Sequence, residues 1–166
     1  MLGRMFAQSG FFTDASKEAQ AVVKILAGAE IGISPIASMT GIYIVKGRIS
    51  LGANLMAAKV KDSQKYDYRV IELSTQRCEV EFFERRDGKF ELIGKSEFTI
   101  EDARKAGTQN LDKFSRNMLF ARAMSNGCKW YCPDIFTTPI YTPDELGATV
   151  NEDGDVIDIS PEPQRQ

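Results

Sequence analysis

Residues 85–89, Arg85-Arg86-Asp87-Gly88-Lys89, separate two long runs rich in β-branched and aromatic side chains, RCEVEFFERR and KFELIGKSEFTI. Asp-Gly at such a junction predicts a two-residue hairpin turn, because both residues tolerate the positive φ that the twist of antiparallel strands demands. The run YDYRVIEL precedes them, so residues 66–100 predict an antiparallel meander of three strands. A meander leaves a face to be covered, and the flanking segments must supply the cover.

Upstream, DASKEAQAVVKILAGAEIG predicts a helix, N-capped by Asp14 or Ser16, with Ala19, Val22, Val23 and Leu26 on a core-facing stripe. SPIASMTG predicts one or two helical turns, with Ser34 as cap, Pro35 at the first helical position and Gly41 as stop. IYIVKGRISL reads as a hairpin turning at Lys46-Gly47, and ANLMAAKVK as a helix. Downstream, TIEDARKAG has Thr99 as cap, Asp102 as its partner in a capping box and Gly107 as stop. A helix from about Leu111 to Ser125 is expected to end at Asn126-Gly127, and YTPDELG to form a short turn with Thr142 as cap and Pro143 first. The order is helix, hairpin, helix, meander, helix, helix. It lacks the βαβ alternation of a parallel sheet and predicts an α+β domain, with an antiparallel meander and hairpins packed against segregated helices.

The 166 residues suffice for one core. The formal net charge of -2 conceals an asymmetry, because residues 143–166 hold seven acids and one base, leaving 20 bases and 16 acids in residues 1–142. The expected organisation is a core domain over 1–142 and, over 143–166, a short turn with an acidic, disordered tail too poor in apolar residues to order itself. No apolar run is long enough to span a bilayer, and the N-terminus lacks the features of a secretory signal. Three cysteines, Cys78, Cys128 and Cys132, fit a reducing compartment better than a disulfide framework, so a cytoplasmic protein is expected.

The chain has no histidine, which removes Ser-His-Asp and Cys-His arrangements and two-histidine metal sites. Neither G-x-x-x-x-G-K-[ST] nor G-x-G-x-x-G occurs, so nucleotide-driven chemistry has no support. Cys128 and Cys132 leave a tetrahedral metal site incomplete. The carboxylate pair Glu101-Asp102 serves a helix N-terminus and Glu152-Asp153 lies in the acidic segment, which keeps a metal-dependent nuclease as a minor alternative. No cofactor and no metal is expected.

The cations carry more information. On a wheel of the helix after Leu111, the residues Leu111, Phe114, Met118 and Ala121 form a core-facing side, with Arg122 inside the same arc. A guanidinium there must find a carboxylate, backbone carbonyls or an external anion. The opposite side places Lys113 and Arg116 beside Phe120 and Met124, as a contact surface would. A second basic cluster, Lys46, Arg48, Lys59, Lys61, Lys65 and Arg69, interleaves with Tyr43, Tyr66 and Tyr68. Cations replacing counterions along phosphates and aromatic faces for stacking are what single-strand binding uses.

The segments AQAVVKILAGAEIGISPIASMTGIYIVKGRISLGANLM, FTIEDARKAG, LDKFSRNMLFARAMSNG and YTPDELG, in that order over roughly residues 5–147, resemble the RecT family of phage single-strand annealing proteins, which includes Red beta-like recombinases. The resemblance implies an annealing-protein core and an ATP-independent protein without enzymatic activity. Such a protein coats single-stranded DNA as a homo-oligomeric ring or filament and pairs complementary strands in homologous recombination and repair. The family's basic helix is matched by SRNMLFARA, which implies DNA contact by Arg116 and Arg122, flanked by Lys113 and Lys129. Lys46, Arg48, Lys59, Lys61 and Arg69 would assist on phosphates, and Tyr43, Tyr66 or Trp130 would stack on bases. A phage exonuclease and a host single-strand-binding protein are the implied partners. RecT proteins usually extend further, so a shortened relative that binds DNA without annealing it, or that only self-assembles, stays open.

Overall fold

The computed structural model describes residues 1–12, 17–108, 111–137, 140–151 and 156–158. In chain order the elements are α1 (Leu2–Ser9), α2 (Glu18–Glu30), α3 (Pro35–Gly41), β1 (Ile42–Val45), β2 (Arg48–Leu51), α4 (Ala53–Asp62), β3 (Tyr66–Leu73), β4 (Arg77–Arg86), β5 (Lys89–Thr99), α5 (Ile100–Lys105), α6 (Leu111–Tyr131), β6 (Thr149–Val150) and β7 (Val156–Asp158). Short 3₁₀ turns occupy Pro133–Ile135 and Asp144–Leu146. The fold is α+β.

The meander forms as its turn chemistry dictates. β3, β4 and β5 pair antiparallel in that order, and Asp87 and Gly88 both take positive φ, 50° and 78°. The same mirror-image turn, at Lys46 and Gly47 with φ 50° and 75°, joins β1 to β2. One face of the meander carries Tyr66, Cys78, Val80 and Phe82, all in one buried cluster with Met56 and Val60 of α4 and Leu119, Ala123, Met124 and Cys128 of α6. Fully burying side chains such as Phe82 and Leu119 contributes about 1.5–3 kcal/mol each.

Caps behave as their residue types require. Ser34 accepts from the Ala37 amide at 3.4 Å, Thr99 and Asp102 form a reciprocal box, and Gly107 ends that helix at φ 70°. Asp14 and Ser16, the expected caps of α2, lie outside the described residues; the helix starts after Lys17, whose amide donates to Gln20 at 3.2 Å.

Three expectations are corrected. The helix at Leu111 does not stop at Asn126-Gly127 but runs to Tyr131, because Gly127 is where the Phe82 ring packs: a Cβ there would fall 2.0 Å from Phe82 Cε2. The stripe Ala19, Val22, Val23 and Leu26 does not face the core. The buried side of α2 is Ala21, Lys24 and Gly28, since small residues let it approach α3 closely and the Lys24 amine donates to the Met39 carbonyl at 2.8 Å, satisfying a helix-end acceptor. That amine also lies over the rings of Phe12 and Tyr43, at 5.7 and 5.5 Å. Finally, Thr142 does not cap by accepting; its hydroxyl donates to Asp144 at 2.6 Å and Glu145 at 3.0 Å.

Helix α1 and the pair β6–β7 had no counterpart in the sequence reading. Residues 144–150 of the acidic segment are packed on the body, with Asp144, Ala148 and Val150 buried, while residues 152–155 and 159–166 lie outside the described residues. Among the described residues, no single helix is long and apolar enough to cross a membrane.

Candidate nucleic-acid interface

Helix α6 positions four of the candidate cations, and it is not one straight helix. At Phe114 the backbone leaves the helical region, with φ -131° and ψ 31°. The single wheel therefore fails: Met124 and Phe120, assigned to an open contact side with Lys113 and Arg116, pack into the core instead. From Met118 onward α6 is covered by the sheet on one side and α4 on another, which leaves Lys113 and Arg116 at the exposed N-terminal end. Both line an open cleft of about 510 Å³ with Leu73, Thr75, Asp112 and Asn117, and neither makes an ion pair among the described residues.

Arg122 answers its predicted alternatives with a carboxylate. Its Nε donates to Asp144 at 2.7 Å, with the arginine side chain 17 % and the aspartate 2 % exposed. Seven residues on, Lys129 donates to Glu145 at 2.7 Å and lies over the Tyr141 ring at 4.9 Å. The two acids are adjacent in the PDEL turn, so one 3₁₀ turn neutralises both inner cations of α6. Burial is the largest single influence on the Glu145 carboxyl and pushes its pKa up, but the Lys129 hydrogen bond and the nearby Lys129 and Arg122 charges outweigh it and hold the group below the ordinary value.

Lys46 and Arg48, at the β1–β2 tip, stand beside this same turn: both line a hollow with Glu145, Leu146 and Gly147. Lys46 also shares a smaller one with Arg122, Asp144 and Ala106–Thr108 just past α5. Lys46, Arg48, Arg122 and Lys129 are thus brought together around Asp144 and Glu145, and the first two make no ion pair among the described residues. Arg104 and Lys105, exposed in the last turn of α5, precede Ala106 of that hollow in the chain and were missed. Their only sequence signal is their place at a helix C-terminus, where cations favour the dipole anyway.

The remaining candidates are elsewhere. Lys61 forms an ion pair with Asp67, donates to the Tyr68 carbonyl at 3.1 Å and sits over the Tyr68 ring at 4.7 Å. A Cβ at Gly32 would stand 3.4 Å from the Lys59 amine, beside the end of α2. Asp67 and Leu73 are at opposite ends of β3, so Lys61 is about 20 Å along the strand from the Lys113–Arg116 cleft. Arg69 is on the outer face of the sheet, opposite Glu81 and over the Phe83 ring at 5.7 Å. That face is acidic in character: Arg77 is held there by Glu72, Glu79 and Glu97, and Lys95 pairs with Glu79 at 3.6 Å.

Of the stacking candidates, Tyr66 is buried and its hydroxyl donates to Asp134 at 2.6 Å, so its ring has no open face. Burial and the Asp134 contact push its pKa up to about 12. Tyr43 is half-buried beneath the Lys24 amine. Trp130 is 58 % exposed, edge-on to Tyr131 at 6.2 Å, but it lies about 20 Å along α6 from Arg116. Cys78, Cys128 and Cys132 are buried thiols; burial pushes Cys78 up to about 12. Among the described residues no three metal-binding side chains converge. Compared with family models, with curated proteins and with solved structures, the chain finds no match.

Proposed function

We propose that this chain is a cytoplasmic, ATP-independent protein that binds single-stranded DNA and anneals complementary strands in phage-type recombination, acting as an oligomer. The observation that carries the reading is the pair Lys113 and Arg116, exposed on either side of the break at Phe114 and lining one open polar cleft, with no ion pair to either among the described residues. Two cations on one cleft can each replace a counterion along a single strand. Lys46 and Arg48, with Arg104 and Lys105 nearby, supply a second unneutralised group for the strand to cross. Arg122 and Lys129, engaged by Asp144 and Glu145, act by fixing the turn rather than by holding phosphate. Trp130 is the stacking residue that geometry favours.

Binding of a labelled single-stranded oligonucleotide and annealing of two complementary ones without ATP test the reading. Replacing Lys113 and Arg116 by alanine should lower the slope of log affinity against log salt by about 1.4, near 0.7 for each lost phosphate contact on a single strand. An unchanged slope in the folded variant defeats the assignment; binding without annealing leaves the shortened, non-annealing relative. A second reading, a self-assembly module, is favoured by the apolar face that α2 turns away from the core.

A further inference from the structure

The outer face of the meander changes character along its length. At one end its cations are taken up, Arg77 by Glu72, Glu79 and Glu97, and Lys95 by Glu79. Toward the Asp87-Gly88 turn the same face becomes aromatic and cationic. Strand alternation turns Phe82 inward and Phe83 outward; the register then sets Leu92 across from Phe83 and Phe90 across from Arg85, with Arg69 diagonal to Phe83 on β3. The Arg69 guanidinium lies 5.7 Å from the centre of the Phe83 ring, and that of Arg85 lies 6.0 Å from the centre of Phe90. Helices α4 and α6 pack on the inner face, so Phe90 and Leu92 stay 46 % and 57 % exposed and Phe83 half-buried.

From this patch we infer that the meander carries a further site for single-stranded DNA, which stacks unpaired bases on Phe90 and Phe83 and takes phosphates on Arg85 and Arg69. The site is separate from the Lys113–Arg116 cleft: Phe83 is across from Asp67, about 20 Å along β3 from Leu73 of that cleft. It rests on the proposed function only for the class of ligand.

The occupant follows from what the patch demands of it. Arg69 and Arg85 make no ion pair among the described residues, Asp67 is taken by Lys61, and Glu81 stands at the border. Arg69, Arg85 and Lys61 against Asp67 and Glu81 leave a balance of +1. Whatever covers the rings also buries two guanidiniums, so it must bring anions beside its apolar groups. A single strand does this at every step, a planar base next to a phosphate, and aromatic side chains on an open sheet are a means of holding such bases. Phe83 and Phe90 are diagonal neighbours, about 7–8 Å apart, within reach of successive bases of an unstacked strand. A duplex offers no open base faces to stack.

Binding of an unstructured oligodeoxynucleotide and of an abasic strand of the same length to the full chain tests this, with circular dichroism to verify folding. Phe90→Ala should weaken binding of the base-bearing strand about 10-fold, with the slope of log affinity against log salt and the affinity for the abasic strand unchanged. Phe90→Tyr should restore binding, whereas Phe90→Leu, apolar but without a ring face, should behave like Phe90→Ala. Arg69→Ala with Arg85→Ala should lower the salt slope by about 1.4, near 0.7 for each lost phosphate contact. A folded Phe90→Ala that binds like the wild type, or that weakens both strands equally, overturns the proposal. So does a Phe90→Leu with wild-type affinity, which would make the patch apolar surface for a protein, or a Phe90→Ala loss seen with an oligoribonucleotide alone. If Lys113→Ala with Arg116→Ala leaves affinity and slope intact while Phe90→Ala weakens binding, the cleft reading fails and this site stands; the converse removes this site and leaves the cleft.

Discussion

Replacing Asp144 by alanine removes the partner of Arg122 and should be among the most damaging single changes outside the apolar core. At 2.7 Å and an effective dielectric of about 20, the gross attraction is about 6 kcal/mol. Desolvating the two groups costs several kcal/mol, so the intact pair stabilises the fold by far less than that figure. The variant loses the attraction and keeps most of the cost, because a guanidinium 17 % exposed cannot fully rehydrate. Breaking a fully buried pair costs about 3–5 kcal/mol; the partial exposure of Arg122 and the second acceptor that Glu145 offers Thr142 bring the expectation to about 2–3 kcal/mol. Arg122→Met keeps the aliphatic stem and should cost about 2 kcal/mol, leaving Asp144 hydrogen-bonded to Thr142. The double variant should cost clearly less than the two singles together, with a coupling of about 1–2 kcal/mol measured by urea unfolding at constant m-value. Additive costs would mean that Arg122 is not held by Asp144. A folded Arg122→Met with oligonucleotide affinity reduced more than about 10-fold would show that the guanidinium reaches DNA after all.

Other perturbations probe the packing and the charges. Gly127→Ala should be destabilising by about 1–3 kcal/mol, although alanine is the better helix former by about 1 kcal/mol, because the added Cβ meets Phe82 at 2.0 and 2.2 Å; a raised Tm would refute the contact. Gly88→Ala should cost about 1 kcal/mol for a different reason, since its surroundings are open and only its φ of 78° is at fault. On the acid side, Glu145 and Asp134 are carboxyls whose pKa values are held down in the fold: burial is the largest single influence and pushes each up, but Lys129, Ser125 and Arg122 together outweigh it on the first, and Lys65, Tyr66 and the backbone together on the second. Groups depressed in this way stabilise fully above their unfolded values of 4.5 and 3.8 and lose that contribution as pH falls through the lower folded values. Glu145→Gln should therefore flatten stability against pH below about 4.5, and an unchanged acid limb would refute the ion pair with Lys129.

What was legible in the sequence was what local chemistry decides. Asp87-Gly88 and Lys46-Gly47 turn because only residues that tolerate positive φ fit those turns, and Ser34-Pro35 and Thr99 with Asp102 start helices wherever the chain leads next. What was not legible depends on the neighbour. Gly127 reads as a stop until Phe82 is placed against it, and the stripe of α2 reads as core until Ala21 and Gly28 are seen to let α3 approach on the other side. Lys24 is the sharpest case, since no periodicity places a lysine in the interior; only the Met39 carbonyl and the rings of Phe12 and Tyr43 make the position tenable.

The candidate site follows the same division. The sequence requires that Arg122 have a partner, because it lies on a buried arc, but a wheel of one helix cannot say that the partner is a turn 22 residues later. Once Asp144 and Glu145 are docked, the excess of basic residues in the body is no longer spread over every cation. Arg122 and Lys129 are neutralised on α6, Arg77, Lys95 and Lys61 are neutralised around the sheet, and Lys46, Arg48, Lys113 and Arg116 retain their charge at the surface. Counterion release scales with phosphates neutralised by cations that are not already paired, so of the candidate cations on α6 and the β1–β2 tip these four carry the expected salt dependence. If binding opened the Asp144–Glu145 turn, Arg122 and Lys129 would add to that slope, and Asp144→Ala should then raise affinity while lowering stability; a folded Asp144→Ala with unchanged affinity and slope would show that the turn stays closed on DNA.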